Sequence, residues 1–98
     1  MSHPSEAEWW SWDDGNESEL AAHSISAPEV EQVFNNGPLF VPNKKRRAGD
    51  WKMVGLTDGG RPLTVILRYD GNSASIRPIT GWEPTAGERT KYFQQGPA

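Results

Sequence analysis

The clearest hydrophobic signal is residues 62–69, PLTVILRY, whose middle is apolar without alternation. A strand covered on both faces has this texture, so a central strand is predicted there. Shorter apolar stretches flank it. LFV (39–41) and WKMVGLT (51–57) read as strands before it, and SASIRPIT (73–80) as the last strand, with turns at DGG (58–60) and DGN (70–72). Pro78 lacks a ladder donor, which predicts a bulge or an edge at that point. Arg77 is expected to face one way with Ser75 and Ile79, and Ala74, Ile76 and Pro78 the other. Near the start, EWWSW (8–12) alternates so that Trp10 and Trp12 share a face and Trp9 takes the opposite one.

Helical spacing appears three times. DDGNESELAAH predicts a short helix starting at Asp14, with Glu17 as its capping-box partner. Ser26 and Glu29 form a second box, Ile25 and Val30 a hydrophobic staple, and Val30, Val33 and Phe34 one apolar stripe stopped by Gly37-Pro38. Gly81-Trp82-Glu83-Pro84 reads as a hinge into a last helix opened by Thr85 and Glu88, which carries Arg89 and Tyr92 and ends near Gln95. The order is β-α-α-β-β-β-β-α, an α+β fold with helices covering one face of a small, mainly antiparallel sheet. One domain is expected over residues 8–95, with short tails at 1–7 and 96–98.

Charge adds an asymmetry that periodicity does not reveal. The net charge is −3, yet residues 1–34 hold eight acids and no lysine or arginine, while residues 35–98 hold all ten basic residues and five acids. A basic second part suggests a polyanion-facing surface. There is no cysteine, and His3 and His23 are the only histidines, which excludes thiol chemistry and a histidine-rich metal cluster. Neither a membrane-length apolar run nor a signal peptide is visible, so a cytoplasmic protein with no membrane association is expected.

No P-loop, dinucleotide fingerprint, HExxH or EF-hand loop is present, and nothing in the spacing supports a serine triad built on His23. No cofactor and no metal are therefore expected. Phosphate chemistry remains open, because RNA carries its own nucleophile in the 2′-hydroxyl. Its cleavage needs backbone orientation, proton transfer and stabilisation of a developing dianion. Arginine suits the last task by staying charged and gripping two oxygens, and aromatic rings hold splayed bases by stacking. Arg61, Arg68, Arg77 and Arg89, with Trp51, Trp82 and Tyr92, are the residue types required.

The motifs W-D-x-x-N-E, L-A-x-H-x-I-S-x-x-E-V-E-Q-V-F, a basic segment, G-L-T-D-G-G-R-P-L-T-V, I-R-P-I-T and E-R-x-x-Y follow one another from Trp12 to Tyr92. In this order and spacing they resemble the BrnT family, toxins of type II toxin–antitoxin pairs related to the RelE superfamily of small ribonucleases. The resemblance implies a RelE-like fold and metal-independent endoribonuclease activity that inhibits translation and growth. It also implies a cognate antitoxin, with operator DNA reached only through that antitoxin, and mRNA, free or on the ribosome, as substrate. Carried onto this chain, the matching positions are His23, Arg46, Arg47, Arg61, Arg77, Glu88, Arg89 and Tyr92. Members often have lysine before the histidine and glycine after it, where this chain has Ala22 and Ser24; many carry Ala-Arg where it has Gly81-Trp82.

The expected site therefore places Arg61, Arg77 and Arg89 on the scissile phosphate, with His23 or Glu88 moving a proton. Lys44, Lys45, Arg46 and Arg47 would contact the RNA backbone, and Trp82 and Tyr92 would stack or position bases. Each residue also has a structural reading: His23 as a helix C-cap, Arg61 as a hairpin support, Glu88 as an N-cap partner, Tyr92 as core. Two other functions fit the same residues: a non-catalytic RNA- or protein-binding module, and an enzyme acting on a small phosphorylated molecule.

Overall fold

The apolar run becomes the middle of a five-stranded sheet in the computed structural model, which describes residues 3–43 and 50–93 and side chains as far as Thr90. The strands are β1 (Trp9–Trp10), β2 (Leu39–Pro42), β3 (Trp51–Leu56), β4 (Pro62–Asp70) and β5 (Ser75–Trp82). Their spatial order is β1-β5-β4-β3-β2; only the β1–β5 pair is parallel. Three α-helices are present among the described residues: α1 (Asp14–Ala21), α2 (Ala27–Asn35) and α3 (Ala86–Phe93). The chain is thus a small α+β fold in the predicted element order, with a 3₁₀ turn at Pro4–Glu6 before it.

Capping sets the helix starts. Ser26 caps α2 and Glu29 closes its box, as predicted. At α1 the box lies one residue earlier than expected: Asp13 is the N-cap and Asn16 its reciprocal partner. Either aspartate could cap, and Asn16 decides the matter because its amide is also needed elsewhere, as described below. The end of α1 is a Schellman-type closure. Ser24 has φ +60°, the Ile25 N–H reaches the Leu20 carbonyl and the Ser24 N–H reaches that of Ala21. Leu20 and Ile25 then meet in the core.

One face of the sheet carries the α1–α2 hairpin. Leu20, Ile25, Val30 and Val33 pack there with Met53, Leu63, Val65, Leu67 and Ile76 into a single dry cluster. Two glycines permit the approach. A Cβ on Gly55 would stand 3.0 Å from Val33, and one on Gly81 would stand 2.8 Å from the Thr64 carbonyl and 3.3 Å from Leu20 and Ile25.

The other face is also covered, which corrects the expectation that helices occupy one face only. Lys52, Val54, Thr64, Ile66 and Trp82 alternate with the hairpin-facing residues of their strands. Helix α3 lies against this side, where Glu88 reaches both Trp82 and Lys52. The physical reason is in β4 itself: Thr64 and Ile66 are buried as fully as Val65 and Leu67. An apolar strand on both faces needs a cover on both.

Pro78 marks a bulge, as expected. Ile66 pairs with Thr80 and Leu67 with Pro78, which leaves Ile79 as the extra residue. The last strand runs on to Trp82, so Gly81 and Trp82 are strand residues and the hinge shrinks to Glu83–Thr85. Beyond Ile76 the strand has no β1 partner, because β1 pairs only with Ser75 and Ile76. Helix α1 lies along this stretch instead.

Candidate functional site

The predicted site residues fall into three groups rather than one. The first surrounds Arg77. Register places Arg77 directly opposite Arg68, on the sheet face away from the hairpin. Arg77 Nη1 sits 2.9 Å from Asp13 Oδ2 and 3.4 Å from Ser11 Oγ. The hydrogen bond from Arg77, helped by the Asn16 backbone N–H, holds the Asp13 carboxyl below its ordinary value. The pair is well exposed, with 37% and 54% of the side chains accessible. A shallow cleft of about 250 Å³ lies beside it, lined by Gly15, Asn16, Glu19, Arg77 and Ile79.

Asn16 fixes this end of the site. It is buried, accepts from the Asp13 N–H, and donates its amide to the carbonyls of Ser11 (2.9 Å) and Pro78 (2.9 Å). One side chain thus ties the cap of α1, the end of β1 and the bulge of β5 together. Arg77 is adjacent to that bulge, so its backbone position depends on the clamp.

The second group joins His23 and Arg61. His23 stands at the Schellman closure, half exposed, with Nε2 3.3 Å from Glu19 Oε2. The same Glu19 oxygen accepts from Thr80 Oγ1 at 2.9 Å. Glu19 therefore connects His23 to β5 and also lines the cleft beside Arg77. Three residues of strand separate Thr80 from Arg77, roughly 10 Å. Arg61 is close to His23 through the next residue, since Nη1 donates to the Ser24 carbonyl at 2.8 Å. Its guanidinium also holds Glu83 (Nε, 2.8 Å) and Glu29 (Nη1, 2.9 Å). Glu83 first, and then Glu29, raise the Arg61 pKa further. Burial pushes the Glu29 carboxyl up, but the bonds from Arg61 and Ser26 outweigh it and leave it below its ordinary value.

The third group is on α3. Glu88 accepts from the Thr85 backbone N–H at 3.0 Å while its own N–H bonds the Thr85 hydroxyl, a complete capping box. It also takes the Trp82 indole N–H at 3.2 Å and lies 3.9 Å from Lys52. Trp82 is half-buried, in register with Thr64 beneath α3, and stands at the far end of β5 from Arg77. Arg89 is exposed on the same helix. The backbone of Tyr92 belongs to α3, while its side chain and Lys44, Lys45, Arg46 and Arg47 lie outside the described residues.

The structure thus brings His23 toward Arg61 and, through Glu19, toward Arg77, whereas Glu88 and Arg89 stand on α3. Several participants escape a reading of residue types alone: Glu19, Thr80, Asn16 and Asp13. The i,i+4 spacing of Glu19 and His23 is the one signal that could have paired two of them. Trp9 escapes it too. It is 66% exposed on β1, opposite Ser75 and on the Arg77 face.

Among the described residues no group of three or more acidic or histidine side chains is placed to hold a metal ion, and no helix is long and apolar enough to cross a membrane. Comparison with protein-family models, with curated proteins and with solved structures finds no match.

Proposed function

We propose that the chain is a BrnT-like toxin of a type II toxin–antitoxin pair, with a RelE-like fold, that acts on RNA as an endoribonuclease. The observation that carries the RNA-facing part is the cross-strand pair Arg68–Arg77. Like charges directly opposite one another weaken a sheet; Asp13 offsets Arg77 from one side, and a phosphate backbone laid across this face adds the same kind of compensation. A second support comes from Ser24. Its left-handed backbone favours glycine, the residue that BrnT-like relatives often carry after their histidine.

In this reading the 2′-oxygen attacks the adjacent phosphorus and the P–O5′ bond breaks, giving a cyclic phosphate and a 5′-hydroxyl. His23, oriented by Glu19, takes the 2′-hydroxyl proton, and the leaving oxygen acquires its proton from solvent. Arg77 stabilises the charge on the phosphorane. Arg61 and Glu88 hold the frame: the first is committed to two carboxylates and a carbonyl, the second to a helix cap. The antitoxin would cover the arginine-bearing face, and the site of action is the cytoplasm.

A non-catalytic binding module is the second reading, favoured by the placement of Thr80, which meets His23 only through Glu19, three strand residues from Arg77, and by the Asp13 carboxylate already on Arg77. Inducible expression with and without the neighbouring gene, together with purified protein on RNA, separates them. Growth arrest relieved by the neighbour and RNA cut by the protein alone are expected. Unhindered growth with intact RNA would sink the enzyme.

A further inference from the structure

Asn36 is the C-cap of α2, and its side chain ties that helix to the turn after β3. The amide nitrogen donates to the Leu56 carbonyl and to Asp58 Oδ1, both at 3.0 Å. Gln32 makes the neighbouring tie, accepting from the Asp58 N–H at 3.1 Å. The same turn leads into Arg61, whose N–H bonds the Thr57 hydroxyl and whose carbonyl takes the Thr57 N–H. Two side chains of the α2 end therefore hold the turn, and through it the start of β4.

Asn36 is also the one asparagine of the chain that precedes a glycine; the other four are followed by Glu17, Asn36, Lys44 and Ser73. Glycine has no Cβ to obstruct its own nitrogen. Gly37 lies at φ +69°, a Cβ there would meet open space, and its N–H makes no hydrogen bond among the described residues. Asn36 is exposed, and both residues line an open groove of about 720 Å³ that admits water. Nucleophile, amide carbon and water thus meet at one step of the chain.

We propose that Asn36–Gly37 is a site of spontaneous deamidation, which turns the tie on the β3–β4 turn into a repulsion. The inference holds whatever the chain acts on. The Gly37 nitrogen adds to the Asn36 side-chain carbonyl carbon, its proton passes to the departing nitrogen, and the C–N bond of the amide breaks to release ammonia. The cyclic imide then takes up water at either carbonyl, giving an aspartyl or an isoaspartyl link. Ammonia leaves only after the amide has let go of Leu56 and Asp58, so the fold sets the rate through local opening. The product carboxylate stands where the amide donated, against a carbonyl oxygen and the Asp58 carboxylate. The change is irreversible. It marks aged molecules and weakens the hold on the Arg61 end of the sheet.

The test is peptide mass spectrometry of the full chain kept in mildly alkaline buffer, native and in urea. The mass gain of an amide becoming an acid is expected in the peptide holding Asn36, at least about tenfold faster in urea than in the fold. N36Q, whose longer side chain needs a larger ring, should gain none at that position over the same time. Asp14, Asp58 and Asp70 also precede glycine, but ring closure there expels and regains water and leaves the mass unchanged. Gain at the other asparagines as fast as at Asn36, or an equal rate with and without urea, overturns the assignment. The consequence is read on N36D, whose thermal midpoint should fall by about 4 °C or more. Hydrogen exchange should quicken at the Gly60 amide, which bonds the Thr57 carbonyl, more than at the amides of β4. D58N in the N36D background should recover most of the loss, since an amide then faces the new carboxylate. N36D as stable as wild type, or D58N restoring nothing, overturns the repulsion.

Discussion

Arg61 and Arg77 are the same residue in two different settings. Arg61 sits at the start of β4 with three acceptors, and only about a quarter of its side chain is exposed. Its partners come from α2, from the α1–α2 connection and from the end of β5, so it joins three elements. Arg77 lies at the other end of β5 with one carboxylate and one weak hydroxyl contact, on a surface where both partners meet water. A guanidinium closed in by carboxylates is spent on the fold. One held by a single exposed aspartate can exchange that partner for a phosphate, since exposed ion pairs contribute little. The difference sets an arginine committed to the fold apart from one whose single carboxylate partner is open to exchange.

The largest test removes the clamp that positions Arg77 rather than Arg77 itself. Asn16→Ala takes two amide bonds away from the Ser11 and Pro78 carbonyls and one acceptor from the Asp13 N–H. Orphaning such buried groups is expected to cost about 2–3 kcal/mol, read by urea denaturation. Asn16→Asp should be no better, because a carboxylate there would face two carbonyl oxygens. A loss within experimental error for both would mean that the bulge holds Arg77 without the clamp.

Arg61→Ala comes next. It strips the Glu29 and Glu83 carboxylates and the Ser24 carbonyl of their shared donor, and a loss of about 1–2 kcal/mol is expected after allowing for partial screening. Arg61→Lys should recover part of this, since an ammonium keeps the charge but not the fork. If Arg61→Ala instead leaves stability intact and abolishes RNA cleavage, the roles of the two arginines are reversed.

Acid titration sharpens the same contrast more gently. The folded Glu29 pKa lies below its unfolded value, so its contribution is complete above the ordinary glutamate range, near pH 4–5, and is lost as pH falls through the folded value. Arg61→Ala removes much of that depression, so the stability gap between wild type and variant should narrow below about pH 4. Asp13 is depressed in the same direction by Arg77, but its pair is open to water and should leave a fainter trace. Denaturation midpoints measured across the acid range for both arginine variants would rank the two. An equal narrowing for Arg77→Ala would erase the distinction drawn from exposure.

What the sequence discloses follows from which interactions are local. The Ser26–Glu29 and Thr85–Glu88 boxes span three residues each, and both were legible from residue type and spacing. The bulge at Pro78 was legible because proline cannot donate. The side of the sheet taken by α3 was not, although the unbroken apolar run of β4 already demanded a cover on both faces. Asp13 with Arg77, Asn16 with Pro78, and Glu83 with Arg61 join residues distant in sequence, and no periodicity encodes such pairings. Residue type therefore named four arginines, and of Arg61 and Arg77 it could read only the first as a hairpin support as well. Only their partners divide them.

The smallest effect on the fold is also the most specific test of function. Arg77→Ala removes one exposed pair and should leave the thermal midpoint close to wild type. Its consequence should appear in RNA binding. A single lost phosphate contact weakens affinity for every sequence alike and lowers the slope of log K against log salt concentration by about 0.7 for a single strand. Arg61→Ala, examined on protein that remains folded, should keep the wild-type slope, because its guanidinium meets carboxylates and not phosphate. The salt slope thus reads what stability cannot, namely which cation the polyanion touches. A slope unchanged by Arg77→Ala and reduced by Arg61→Ala would move the phosphate site to the opposite end of β5, beside His23, and leave Arg77 as the support of a helix cap.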